Sequence, residues 1–472
     1  MSVVARLLDA GLGPGRPLRA LAASGQLGYG IPEPALREGL ARAPHFIGCD
    51  MGSIDVGPYY LGAGRLATAE AVTRRDLRLV IHGARQVGVP LLIGTAGTAG
   101  AAPHVAQTLD LIRGIAREDG LGRLRVAVIH ADADRTWLKA MAAAGRVRAL
   151  GTALGSPLDA ETVDRAAHVV GQMGTDAFIR ALRLEPDIVL AGRACDTAIF
   201  AAVPIMLGYD PGPATHMAKI IECTSLCCAP GGRDAMLGTL HGESFELESM
   251  NPQRAATPLS VAAHSLYEQA DPLAVHEPEG SVDLRAARFE PIDARRVRAG
   301  GAVWRPAARV SVKVEGAEWC GERAVLLASS CDPRVIEQRE AIVAGVRRQV
   351  AEILPDAGSE ACLLEFRVFG TGATGLFPGA AMGLPEPGEV FFLVECVAPT
   401  ADLARATVAV AKQYLLHHGF PGRLSTGGNI AFPFTPPELP CGPAYRFSIY
   451  HLAECDDLAA AFPVELETVG GG

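Results

Sequence analysis

Four short apolar runs in the first half of the chain each stop at glycine, aspartate or histidine, and each is followed by a helical pattern. They are HFIGCD before the loop 50–62, VPLLIG before GTAGTAG, LRVAVIH before ADAD, and PDIVLAG before RACD. Unbroken Val, Ile and Leu marks a strand buried on both faces, and such strands alternating with helices make a parallel sheet. Helical spacing of apolar residues follows at about 68–87, 104–118, 160–182 and 197–207, with a short strand expected earlier, at 19–24. Right-handed crossovers place every carboxyl end on one sheet edge. The loops 50–62, 94–104, 130–134 and 192–196 are therefore expected together, where open α/β sheets bind ligands.

Past residue 240 the pattern changes. ARVSVKVE alternates as a half-exposed strand does, 362–368 and 390–397 read as strands, and 332–354 and 402–417 read as amphipathic helices. A chain of 472 residues is too long for one core. The expected architecture is a Rossmann-like, doubly wound α/β domain over residues 1–240. A smaller α+β domain with a mostly antiparallel sheet is expected over 241–472.

Net charge is −9 with no basic block, which argues against nucleic acid as the main partner. No apolar stretch approaches the roughly 18 residues of a transmembrane helix, and the amino terminus lacks a signal-peptide pattern. A cytoplasmic chain is expected. The eleven cysteines form no CxxC pair, and reduced thiols are expected. The cluster Cys223, Cys227 and Cys228 reads as buried or loop-lining thiols, against a zinc site, which would want four ligands at defined spacing.

Each loop offers its own chemistry. In GTAGTAG, Gly94, Thr95 and Gly97 lead into a helix amino terminus, which suits an anion or, equally, a tight turn packing helix on strand. The spacing is neither GxGxxG nor a P-loop. Arg193 in GRACD could clamp a carboxylate or pair with an aspartate. Asp50, Asp55, Asp132, Asp134 and Asp196 are candidates for a general base or for Mg²⁺, against a role as helix caps. Ser53 is a candidate for direct ligand contact, and His104 and His130 are candidate proton carriers. His216, Lys219 and Glu222 are spaced by three on one helical face, which would carry an acid, a base and a cation or would be merely solvated. STGGN, with Ser425, Thr426 and Asn429, is a second anion candidate or a hairpin turn.

The segments LGYGIP, CDMGSIDVGPYYLG, GTAGTAG, AGRACDTAIFAA, HMAKIIECTSLCCAPGG, SVAAHSLYEQADPLAVHEPEGSVDL and PGRLSTGGNIAFPF together resemble the AtuA-type, acyclic terpene utilisation family, over about residues 19–452. The usual family loop resembles CDAGSTDxGPYYLG; here Met51 and Ile54 stand at its small positions, while Asp50, Ser53 and Asp55 keep the polar atoms. The resemblance is to the short layout, without a fused carboxyl-terminal ferredoxin-like domain, and implies a separate small partner protein. It also implies work on branched isoprenoid acids as CoA thioesters, but no established catalytic set.

Two classes of function follow. One is a lyase, a hydratase or dehydratase without a redox cofactor, acting on a small branched or unsaturated carboxylate or its acyl-CoA. Asp55, Glu222, Lys219 and Asp196 would be its catalytic residues. Ser53, Gly94, Thr95, Gly97, Arg193, Asp50 and Asn429 would bind substrate. The other is an accessory or ligand-binding subunit acting with a partner. A metal-dependent hydrolase with a divalent metal is a third. A homo-oligomer is expected, with neither nucleic acid nor membrane as partner.

Overall fold

The computed structural model describes residues 1–151, 157–358, 361–370, 388–424 and 429–471. By internal contacts the chain divides into two compact units, residues 1–318 with 447–472, and residues 319–446.

The first unit holds a ten-stranded sheet. In chain order its strands are β1 (Leu18–Ser24), β2 (Phe46–Asp50), β3 (Leu91–Gly94), β4 (Leu124–Ile129), β5 (Ile188–Ala191), β6 (Met236–His241), β7 (Ser244–Ser249), β8 (Arg288–Pro291), β9 (Arg296–Gly300) and β10 (Val464–Val469). Across the sheet they run β8-β9-β7-β6-β1-β2-β3-β5-β4-β10. The stretch β1-β2-β3-β5-β4 is parallel, as the apolar runs require. The antiparallel strands β6 to β9 extend one side and antiparallel β10 the other, so the sheet is mixed. The expected division after residue 240 falls inside β6, whose hairpin partner β7 continues the same sheet.

Alternate residues of the parallel strands feed two cores. Phe46 and Leu92 pack with Phe178, Phe200 and Met217 on one face. Ile47, Cys49 and Ile93 pack with Leu77, Val80 and Ile112 on the other. Helices Glu33–Ala41, Glu70–Val87 and Ala102–Glu118 cover the second face, and helices Thr175–Leu182, Asp196–Met206 and Pro211–Ile221 the first. Each large side chain so buried contributes on the order of 1.5–3 kcal/mol. Helix Asp196–Met206 rests against bare backbone: a Cβ on Gly94 would lie 2.3 Å from Ile199 Cδ1. That close approach sets the start of the helix beside the ends of β2 and β3.

One expected helix is not a single element. Residues 160–182 form helix Ala160–Arg165, strand Ala166–Gln172 and helix Thr175–Leu182. The strand pairs antiparallel with Lys313–Glu318, and a partner so distant in sequence overrides the local helical pattern. In the second unit, strand Val390–Ala398 pairs antiparallel with Leu363–Phe369 on one side and Glu322–Ser330 on the other. Helices Pro333–Ile353 and Ala401–His417 enclose its core of Leu326, Val346, Phe392 and Val408. Among the described residues no helix is long and apolar enough to cross a membrane.

Candidate active site

The strand-end loops lie together. Met51 N–H donates to the Gly94 carbonyl at 3.1 Å, Thr95 N–H to Gly192 at 3.0 Å, and Gly192 N–H to Ile129 at 2.8 Å. The ends of β2, β3, β5 and β4 are thus stitched along one edge. At the end of β2, Asp50 is buried; its Oδ2 accepts the Gly52 N–H at 2.9 Å, and its Oδ1 has no protein partner. Ser53 Oγ caps the short turn Ile54–Val56 by accepting the Asp55 N–H at 3.2 Å, and the Asp55 side chain is exposed.

Past β5, Asp196 opens helix Asp196–Met206, and that helix packs on Pro211–Ile221. The second helix ends in Lys219 and then Glu222, whose Nζ and Oε1 are 2.6 Å apart and buried. The charges of Asp50, Arg193, Lys219, Glu222 and Glu277 all reach Asp196 or are reached by it. Burial raises the Asp196 carboxyl, against the pull of Arg193 and Lys219. It raises Asp50 well above the usual range, helped by Asp196. It lifts Glu222 to about 8 despite Lys219. Burial works the other way on Lys219, and Glu222 opposes that once it is ionised.

His216 does not join this group. It is buried between the rings of Phe245 and Phe289, its Nε2 is 2.7 Å from Ser265 Oγ, and burial pushes it down to about 3. The helix is buried all round, so the spacing of three does not mark a solvated face.

The structure gives Arg193 and the glycine loop other work than ligand contact. Arg193 forms a two-point ion pair with Glu315, Nε to Oε2 at 2.7 Å and Nη2 to Oε1 at 3.3 Å. GTAGTAG is buried throughout. Its Thr95, Ala96, Thr98 and Gly100 N–H groups donate to carbonyls of Gly192, Ala191, Thr95 and Ala96, which leaves those donors committed. A Cβ on Gly100 would lie 2.1 Å from the Arg193 nitrogen, so this glycine admits the neighbouring loop. Gly94 and Gly97 lie in the same packed turn. Asp134 caps helix Arg135–Ala143, His104 Nε2 meets the Tyr60 carbonyl at 3.0 Å, and Asp132 bridges to Val170. Asn429 lies in the second unit, where its carbonyl accepts the Ser330 hydroxyl at 2.5 Å. Ser425 and Thr426 lie outside the described residues.

The family model described as acyclic terpene utilisation family protein AtuA matches residues 75–234 and 242–434. The chain belongs to this family. No curated protein and no solved structure matches it. The matched residues of this AtuA-family chain take in Arg193, Asp196, Lys219 and Glu222, while the loop 50–62 precedes them.

Sequence reasoning missed three residues of the candidate site, Glu277, Glu315 and Lys313. Glu277, in the hairpin Ala274–Asp283, accepts the Thr197 hydroxyl at 2.5 Å, and its Oε2 has no protein partner. Burial lifts its carboxyl to about 7. Glu315 holds Arg193 and also Lys313, at 2.9 Å. Lys313 in turn lies 5.3 Å from the centre of the Tyr450 ring. The signal for Glu277 was the pair of glutamates in HEPEG. A cavity of about 640 Å³ opens over Cys195, Glu277, Lys313 and Gln172, with Arg148 and Arg305 on its wall. Burial and the Glu277 charge push the Cys195 thiol up, so it is a neutral wall and not a nucleophile. Among the described residues no group of three or more His, Cys, Asp or Glu is placed to hold a metal ion.

Proposed function

We propose that this cleft binds a small branched or unsaturated carboxylate, free or as its CoA thioester, and that the chain acts on it as a hydro-lyase by proton transfer. The observation that carries the reading is Glu277 on the cavity wall, with Glu222 buried behind it within reach of its charge. Burial moves them to about 7 and about 8, and both feel the charge of Asp196. Carboxyl groups poised near neutrality suit general acid and base work. Membership of the acyclic terpene utilisation family supports the reading.

In this reading Glu277 takes the proton beside the substrate carbonyl. The C–H electron pair forms the new double bond, the C–O bond breaks, and protonated Glu222 supplies the proton with which hydroxide leaves as water. Hydration is the reverse. Lys219 keeps Glu222 in place through their 2.6 Å contact. Lys313, Arg148 and Arg305 give the cavity wall the positive charge that an anionic substrate needs. Burial sets the level of both glutamates, with Glu279 adding to Glu277 and Asp196 to both; Ser53 caps the turn that carries Asp55, whose charge reaches Asp196.

The test is solvent exchange. The protein is incubated in heavy water with branched hydroxy acids, unsaturated acids and their CoA thioesters, and deuterium is followed by mass spectrometry. Deuterium should enter beside the carbonyl of at least one member, and Glu277→Gln should abolish it. No exchange with any member, or unchanged exchange in Glu277→Gln, would refute the reading.

A further inference from the structure

The strand Ser311–Ser330 and the strand Ala166–Gln172 form an antiparallel ribbon, Lys313 opposite Gln172 and Val314 opposite Gly171. Successive side chains on such a ribbon point to opposite sides. Lys313 and Gln172 line the polar cavity beside Glu277. Val312, Val314 and Gly171 line a different cavity, of about 710 Å³, in the same unit.

The second cavity has the opposite chemistry. Its apolar wall is Val312, Val314 and Met141 with the aromatic rings of Trp137 and Phe462. Among the described residues, its ionisable lining consists of Asp132, Asp134, Asp456 and Asp457, with no Lys, Arg or His. Asp134 and Asp457 are fixed as helix caps. Asp134 accepts the Trp137 N–H at 2.7 Å, and Asp457 accepts those of Ala459 and Ala460 at 2.9 and 3.0 Å. Asp456 is held by Arg146 through two contacts of 2.7 Å. The acids are therefore positioned by the fold around an apolar, aromatic hollow.

We propose that this cavity is a second ligand site, and that it takes a small organic ammonium ion with an apolar body. The volume is that of ordinary small-molecule sites, which lie at roughly 300–1,000 Å³. The face of a tryptophan attracts an ammonium group, and the attraction grows as water is excluded. Asp132, Asp134 and Asp457 oppose an anion, Asp456 being already paired with Arg146, so the substrates expected in the Glu277 cleft do not fit here. Among the described residues no group of three or more His, Cys, Asp or Glu is placed to hold a metal ion, so the aspartates here do not form a metal site.

Butyltrimethylammonium is the probe, with hexanol and hexanoate as uncharged and anionic controls. The readout is intrinsic fluorescence, since Trp137 lines the cavity and the chain has only three tryptophans. The cation should give a saturable change that is lost in Trp137→Phe. Hexanol should bind about tenfold more weakly or worse, and hexanoate should give no saturable change. Asparagine caps helices about as well as aspartate, so Asp134→Asn with Asp457→Asn removes charge and keeps the caps. This double variant should bind the cation several-fold more weakly at unchanged melting temperature. The single variants are read the same way if the double variant does not fold. Equal binding of hexanol, no saturable signal from the cation, or undiminished binding in the charge-removed variants would overturn the proposal. None of these results depends on the reaction in the Glu277 cleft.

Discussion

Arg193 and Glu315 meet in a two-point ion pair in which the side chains are 4% and 0% exposed. One leaves the end of β5 and the other comes from strand Ser311–Ser330, so the pair ties the strand-end loops to the ribbon that carries Lys313. Burial alone would discourage both charges; each is kept ionised by the other. Removing one partner strands a buried charge. Arg193→Met or Glu315→Gln should each cost about 3–5 kcal/mol, read as a drop in the denaturant midpoint. A loss within about 0.5 kcal/mol would show that the pair does not hold the site together.

Asp55 stands apart from that pair. It is exposed on the turn Ile54–Val56, and its charge reaches Asp196. Asp55→Asn should change stability by no more than about 0.5 kcal/mol while lowering activity. Thermal melting and the heavy-water exchange assay check both halves. Loss of stability with activity kept in the folded fraction would make Asp55 structural.

Gly94 decides whether helix Asp196–Met206 can seat. A Cβ there would sit 2.3 Å from Ile199 Cδ1. Gly94→Ala should cost about 1–3 kcal/mol by overpacking, and should reduce activity by displacing Asp196. A fully stable, fully active variant would contradict this packing argument.

Stability should fall with rising pH near neutrality. Burial raises Glu277 and Glu222 from 4.5 to about 7 and about 8. Below 4.5 folded and unfolded chains both hold these protons, and neither group costs stability. As pH rises toward about 8, the unfolded chain releases them first, so stability is lost across that window. Melting temperature should decline between about pH 6.5 and 8, above the range in which the histidines that burial holds low act with the opposite sign, and Glu277→Gln or Glu222→Gln should flatten the decline. A wild-type profile already as flat as those of the variants would contradict the raised values.

The parallel strands were legible because a strand buried on both faces is apolar along its length, as FIGC before Asp50 and LLIG are. Ala166–Gln172 was not, because its partner comes from beyond residue 310 and local spacing carries no trace of it. ARVSVKVE showed the right period, but alternation suggested a half-exposed strand; Val312 and Val314 are buried on one side and Glu315 on the other, so both sides are covered. GTAGTAG was ambiguous for a different reason. Glycine serves close approach to a ligand and close approach to another loop equally well, and only the position of the Arg193 backbone decides between them. Asp50, Asp55, Asp196, Lys219 and Glu222 were visible as polar residues at strand and helix ends. Glu277 was not singled out, because it comes from a hairpin outside the parallel sheet.

Two carboxyl groups in the proposed mechanism titrate close to neutrality, and carbon NMR of protein labelled at the glutamate carboxyl groups observes them directly. The account predicts two resonances titrating at about 7 and about 8, the first absent in Glu277→Gln and the second in Glu222→Gln. Titration of every glutamate close to the ordinary 4.5 would contradict it.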